Sequence, residues 1–416
     1  MKGLLGRVAA YALGGALIFG AVFAYYAHIW GTYYNFNLAI EFCELRYCDF
    51  VLYYYEQAKV ILESHAPIVK YFYSPSFALL IWPFSKLSKS DATDAWGYLQ
   101  AASLALYVGS ALTLLKKQAW WSHAVMFLLT ITCYPILHNW KWGQANTLFV
   151  ALAMLSLVIQ HRAPAPLTAL PIALAAAGRY FPIIYAVGFL GPRRWQLWIW
   201  VSVLTGVLLV GLPVLTMGPQ ATIDFYRASA EASRIATSTW VITSASSHFP
   251  PTVLARMWPS LGTPFARSVL TGVCYAVVAG NLWMVLRAAR LRPETRLPYV
   301  FCFIAGCTPL LLPTSWIHYL AYLPVTQAFL LDRIVRWPQP VWARAALGVL
   351  AWLPSVVFAN VVFFNQFDPY EGYAAGGWLL WANLLMLAMA HTLARWDLQP
   401  AVSAAPAGLH AAPSST

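Results

Sequence analysis

Residues 195–217 read WQLWIWVSVLTGVLLVGLPVLTM and carry no charged side chain. Coiled as a helix rising about 1.5 Å per residue, this stretch reaches about 35 Å, enough to cross a hydrocarbon core of about 30 Å. Arg193 and Arg194 stand at its start and Gly218 follows its end, so the apolar run has defined limits. Similar stretches occur on both sides of it, at 95–115, 121–137, 145–160 and 167–178 before it and from about 265 to 398 after it. With 60% hydrophobic and only 10% charged residues and a mean hydropathy of +0.61, the chain is too apolar for a surface facing water alone. The expected fold is an all-α polytopic membrane protein of about twelve transmembrane helices.

The stretch 4–26 lies close to Lys2 and Arg7, as the apolar part of a signal peptide would. It is too long for one and no A-x-A-like site follows, so it reads as a first span. Lys and Arg cluster at 116–117, 162, 193–194, 287–296 and 333–336, which places these turns and both termini in the cytoplasm of a multi-pass plasma (inner) membrane protein. The polar regions 28–94, 138–144, 218–265, 313–319 and 365–373 then face outward. Eleven acids follow them there, from Glu41 to Glu371, leaving Glu294, Asp332 and Asp397 inside. Acids carry little weight in setting topology, so their skew points to a use on the outer face. Residues 1–398 form a single transmembrane domain, and 399–416, rich in Ala, Pro and Ser, read as a disordered cytoplasmic tail.

The first outer region contains two apolar segments that are not expected to span. In 49–64, Val51, Tyr54, Tyr55, Ala58, Ile61 and Leu62 share one helical face, while Asp49, Tyr53, Glu56 and Glu63 share the other. That pattern predicts an interfacial helix. Residues 71–87, interrupted by Pro83, predict a second helix lying on or dipping into the outer face, because a span there would put Lys116 and Lys117 outside. Cys43 and Cys48 share this region and could pair if it is extracytoplasmic; Cys133, Cys274, Cys302 and Cys307 read as small core residues.

Several polar residues sit where chemistry could use them. Asp49 begins the first interfacial helix, as either an N-cap or a general base. Arg179, in Gly178-Arg179-Tyr180-Phe181-Pro182, interrupts an apolar run. It either snorkels to the interface or binds an anion such as phosphate. His318 lies between two helices and Lys141, Gln144 and Asn146 lie near one helix end beside Trp140 and Trp142. These could hold phosphate or sugar hydroxyls, or form ordinary interfacial turns. His248, beside Ser246, Ser247 and Pro250, is either a further contact or part of a turn. No His or carboxylate set has metal-ligand spacing and no Gly-x-x-x-x-Gly-Lys loop occurs, so neither metal nor nucleotide cofactor is expected. The net charge of +12 lies scattered at helix ends and fits topology better than nucleic-acid binding.

In order along the chain stand Asp49-Phe50 with Tyr53-Tyr54, Phe72-Tyr73-Ser74-Pro75, Gly143-Gln144-Ala145-Asn146, Arg179-Tyr180-Phe181-Pro182 and Ser315-Trp316-Ile317-His318. This series resembles glycosyltransferase family 87, the polyprenyl-phosphate-mannose-dependent mannosyltransferases of the GT-C superfamily. The resemblance implies a GT-C-like bundle with interfacial helices in its first outer loop and an active site on the periplasmic face. It implies Asp49 as catalytic base; taken with the polar residues above, Arg179 and His318, with Lys141, would form the donor phosphate site, and Gln144, Asn146, Tyr73, Trp316 and His248 the sugar or acceptor contacts. Its partners would be a polyprenyl-phosphate sugar, a lipid or glycan acceptor and membrane lipids. The chain departs from the pattern at Arg179, where the family usually has Lys, at Ser74, usually Pro, and at 244–248, where Ser-Ala-Ser-Ser-His replaces an Asn-Gln-Ser pattern. These departures bear on the sugar and acceptor more than on the reaction. A single acid with several cations suits transfer from a glycosyl phosphate, whereas hydrolysis needs a second acid close by. The rival from another class is a lipid or sugar transporter, which would gather its charges near the midplane.

Overall fold

The computed structural model describes residues 47–68, 71–238, 244–363 and 370–399. The predicted first span 4–26, Cys43, most of the first outer loop before Asp49, residues 364–369 of the last outer loop, and the tail from 400 onward lie outside these residues. Every extended element among the described residues is helical, and a lone antiparallel bridge joins Cys133 to Asn360.

Residues Phe50–Tyr54 form a π turn that runs directly into the helix Tyr55–Glu63. The widened turn keeps Val51, Tyr54, Tyr55, Ala58 and Ile61 buried on one side, as their spacing predicts, and Phe50 is buried with them; the Leu62 side chain of the same expected face lies outside the described residues. Against that side packs Pro75–Ile81, started by Pro75 and capped by Ser74, whose Oγ accepts from Phe77 N at 3.1 Å. A tighter 3-10 turn, Trp82–Lys86, continues it past Pro83. Together the two pieces reach about 20 Å, too short to cross a bilayer. Ser76 instead ties the helix to Leu208 O on Arg194–Met217.

The expected count of about twelve spans does not hold. Among the described residues three helices are long and apolar enough to cross a membrane: Arg194–Met217, Pro264–Arg290 and Val341–Ala359. A fourth counts only if Tyr134–Trp142 and Asn146–Ile159, bent by 120° at Gly143, make one broken span or re-entrant loop. Several of the remaining apolar runs are cut by the backbone. Trp120–Thr132 and Ala165–Gly178 have 13 and 14 residues, about 20 Å each. The first stops at extended Cys133, before Pro135, and the second at extended Arg179. Pro293–Gly306 is likewise short and is followed by Cys307 and Pro309. Lys89–Leu114 is long enough, but Lys89, Asp91 and Asp94 occupy its start and Gln100, Ser103 and Ser110 are buried within it.

Two expected outer loops are also helical. Of the expected loop 138–144, residues 138–142 complete Tyr134–Trp142, and 218–265 contains Pro219–Ser238 and Pro250–Met257. The three long apolar helices leave Leu215, Trp283 and Leu350 exposed, a surface matched to hydrocarbon rather than water. Inside the bundle, Arg333 pairs with Asp397 at 2.6 Å and Tyr299 donates to the same carboxylate at 2.8 Å, which fastens Leu323–Val335 and Pro293–Gly306 to Trp378–Asp397. Cys48 is disulfide-bonded, and Cys133, Cys274, Cys302 and Cys307 are free and buried.

Candidate active site

The bend at Gly143 is where the site begins. Gly143 takes a left-handed conformation (φ 67°), ending Tyr134–Trp142 so that the chain reverses into Asn146–Ile159. A Cβ there would come within 2.6 Å of the Tyr47 Cβ, so glycine serves both the turn and the close approach. The turn is held from several sides. Trp96 Nε1 donates to Gly143 O at 2.9 Å and Gln100 Nε2 to Gln144 O at 2.7 Å. Asn139 Oδ1 accepts from Asn146 N and Thr147 N at 3.0 and 3.3 Å, capping the next helix from the previous one. The backbone of Gln144 is thereby fixed, and its amide projects into a cavity of about 240 Å³.

Asp49 forms the opposite wall. Its backbone is already helical and its side chain caps nothing, which removes the N-cap alternative. Its Oδ2 accepts from Gln144 Nε2. The carboxyl is half-buried at the cavity wall, and protein encloses it closely enough that burial raises its pKa to about 7, against the opposing pull of the Arg179 guanidinium.

Arg179 reaches the cavity because Ala165–Gly178 stops beside it and extended backbone turns its side chain inward (φ −134°, ψ 135°). Its guanidinium lies 4.0 Å from the Tyr73 ring centre and 4.7 Å from that of Tyr319. Nη2 donates to Tyr73 OH and, at 3.4 Å, to Gln144 Oε1. Nε has no partner among the described residues. Tyr54 OH and Tyr73 OH lie 2.8 and 2.6 Å from Gln144 Oε1 and bond to each other; with one proton apiece, one hydroxyl donates to the other and the second donates to Gln144 Oε1. Burial raises the pKa of both phenols, so both keep their protons at neutral pH.

The third wall is the 3-10 turn Ile317–Leu320. His318 stacks on His138 with ring centres 5.6 Å apart, and neither of its ring nitrogens has a partner among the described residues. Burial, followed by the nearby His138 and Arg179, pushes its pKa well below the usual value, so the ring is neutral at physiological pH.

Of the residues singled out from sequence, the fold brings Asp49, Tyr73, Gln144, Arg179, Trp316 and His318 to this one cavity. Lys141, Asn146 and His248 do not line it. Asn146 stands behind Gln144, its Nδ2 3.4 Å from Oε1. His248 is fully buried and its backbone N–H donates to Ser315 O at 2.7 Å, bracing the segment that carries Trp316 and His318. Burial, Arg256 and His138 push the His248 pKa down to about 3. Tyr53, Tyr54, His138 and Trp142 also line the cavity, although none of them was given a role there from sequence. Tyr54 falls on the apolar face of its helix, and helical spacing records the ring but not where its hydroxyl points. His138 stood in a segment expected to be a loop, where stacking on a distant histidine has no signature. Among the described residues no group of three or more His, Cys, Asp or Glu could hold a metal ion.

In comparison with known protein families, residues 71–313, more than half of the 416-residue chain, match glycosyltransferase family 87. The chain belongs to glycosyltransferase family 87. No curated protein and no solved structure matches it. Family 87 membership makes the chain a GT-C superfamily glycosyltransferase, an enzyme with a sugar donor and an acceptor, and displaces the transporter alternative. The matched residues include Tyr73, Gln144 and Arg179; Asp49 lies 22 residues before the match and His318 5 residues after it. For a glycosyltransferase the cavity offers a carboxyl whose pKa lies near neutrality, a fixed guanidinium and a neutral imidazole, which can accept one proton and hold one anion.

Proposed function

We propose that this family 87 enzyme transfers a hexose, mannose, from a polyprenyl-phosphate sugar to a hydroxyl of a lipid or glycan acceptor, with inversion at the anomeric carbon. Asp49 takes the acceptor's proton as its oxygen attacks that carbon; the carbon–oxygen bond to phosphate breaks and the electron pair leaves with polyprenyl phosphate. Arg179 stabilises the charge gathering on the phosphate, since guanidinium matches its oxygens in geometry and cannot lose its own proton. His318 donates as a neutral imidazole. The observation that carries this reading is that one side chain, Gln144, contacts both Asp49 and Arg179 on the wall of one cavity.

A second cavity of about 650 Å³ meets the first at Phe72, Tyr73 and Arg179; Tyr180, Phe181, Tyr226, Leu312, Pro313 and Tyr319 give it a largely apolar lining, with Ser229, Ser233, Arg234 and Thr314 as its further polar residues. With the phosphate at Arg179, the sugar occupies the polar cavity and the first isoprene units occupy this aromatic one. Sidedness finds support at the other end of Asn146–Ile159, about 20 Å from Gln144. There burial lowers the pKa of His161, and the charges of Arg296, Arg193 and Arg162 around it lower it further. A basic cluster at that end suits the cytoplasm, leaving the site on the periplasmic side of the plasma membrane and the termini in the cytoplasm.

Purified protein incubated with labelled polyprenyl-phosphate mannose and a membrane lipid extract is expected to release polyprenyl phosphate only when acceptor is present, and to form a product of opposite anomeric configuration. Release independent of acceptor, or a product of retained configuration, contradicts the proposal.

A further inference from the structure

We propose that Gln144 is a positioning residue, one that aims the Asp49 carboxylate and favours its proton-accepting form, and not a ligand of the sugar. The inference rests on Asp49 being the base.

The orientation of the amide follows from its neighbours. A guanidinium only donates, so the Gln144 atom facing Arg179 Nη2 is the oxygen. An ionised carboxylate only accepts, so the atom facing Asp49 is the nitrogen. Both demands are met by the same orientation, and the flipped amide would set oxygen against oxygen at Asp49 and donor against donor at Arg179.

The amide oxygen is also fully used. Tyr54 OH and Tyr73 OH stand 2.8 and 2.6 Å from it, and since they also bond to each other one of them donates to it, beside Arg179 Nη2 and Asn146 Nδ2, both at 3.4 Å. An amide oxygen has two lone pairs, so none remains for a sugar hydroxyl. With its backbone fixed at the Gly143 turn and its oxygen surrounded by donors, the side chain can turn only its NH₂ to Asp49. That bond occupies Oδ2 and leaves Oδ1 for the acceptor's proton. It also stabilises the charged carboxylate, in the same direction as Arg179 and against burial. The other titratable groups that sense Asp49 are the hydroxyls of Tyr53, Tyr54 and Tyr73. Their pKa values are raised, so they stay neutral across the range tested below.

The test is the pH dependence of kcat/KM for Gln144→Met and Gln144→Glu beside wild type and Asp49→Asn, all eluting as single species from gel filtration. Gln144→Met removes the donor to Asp49 at nearly constant volume. Its midpoint is expected to rise by about one pH unit, a fall of about fivefold at pH 7 that recovers by pH 9, with the donor KM changed less than about threefold. Gln144→Glu keeps an acceptor for the tyrosine pair and Arg179 but sets a second acid against Asp49. Its midpoint is expected to rise at least as far, and this variant decides the matter if Gln144→Met does not fold. An unmoved midpoint overturns the proposal, and a donor KM raised tenfold or more with that unmoved midpoint returns Gln144 to the sugar. Full turnover by Asp49→Asn overturns the base assignment instead, whatever the Gln144 variants do.

Discussion

The pH profile of the wild-type enzyme follows from where Asp49 sits. Enclosure at the cavity wall raises its pKa from 3.8 to about 7 even though Arg179 pulls the other way. A general base works only when deprotonated, so activity is present above that pKa and is lost as pH falls through it. With a pKa of about 7, about a tenth of the molecules carry the base at pH 6 and about nine-tenths at pH 8. The expected rise in kcat/KM across those two units is therefore about tenfold, with unit slope on the acid side. A carboxyl at its ordinary value would give a change of about one per cent over the same range. His318 does not add to the rise, because its pKa is pushed well below the range, and Tyr54 and Tyr73 titrate above it. The assay is initial-rate transfer at low donor concentration in buffers of constant ionic strength, with detergent micelles held at one composition. A flat profile from pH 6 to 8, or a midpoint near 4, would refute the reasoning that enclosure sets the base.

Three other perturbations have defined outcomes. Arg179→Lys keeps the charge but gives up the planar contact with Tyr73 and Tyr319; at about 1–2 kcal/mol, kcat/KM should fall about tenfold, and Arg179→Met should cost about a thousandfold with a raised donor KM. Equal activity of the Lys and Met variants in the transfer assay would count against a phosphate ligand. Gly143→Ala forces a left-handed backbone and a contact on Tyr47, so thermal unfolding in detergent should show a loss of about 2 kcal/mol, whereas an unchanged unfolding temperature would mean that the turn relaxes freely. Asp49→Asn should unfold no lower than wild type at pH 8. The folded pKa lies above the unfolded one, so the folded state binds the proton more tightly and stability falls as pH rises from about 4 to about 7, a loss the amide escapes. A variant that unfolds lower than wild type would speak against that linkage.

Much of this architecture was legible because it depends on local chemistry. The limits of 195–217 follow from Arg193, Arg194 and Gly218, and the helix is Arg194–Met217. The break at Arg179 follows from Gly178 and Pro182, and the buried side of Tyr55–Glu63 follows from spacing. Hydropathy failed where it summed apolar residues across backbone breaks. Residues 121–137 look continuous in composition, yet Cys133 is extended and a separate helix begins at Tyr134. Counting such stretches gave twelve spans where, among the described residues, three or four helices are both long and apolar enough. The site divides in the same way. Arg179 stood out because charge amid apolar sequence is costly, and Asp49 because it begins the polar face of an interfacial helix. The role of Gln144 was hidden because its amide is oriented by Tyr54, Tyr73 and Arg179, which lie far from it in the chain.

The central claim is that Asp49 is the base, and Asp49→Asn tests it most directly. The amide keeps the shape of the side chain but cannot accept the acceptor's proton. Assayed with labelled polyprenyl-phosphate mannose and acceptor at pH 8, the folded variant should transfer less than about a thousandth of the wild-type label while still binding donor, because Arg179 and His318 remain in place. Transfer within tenfold of wild type would contradict the account.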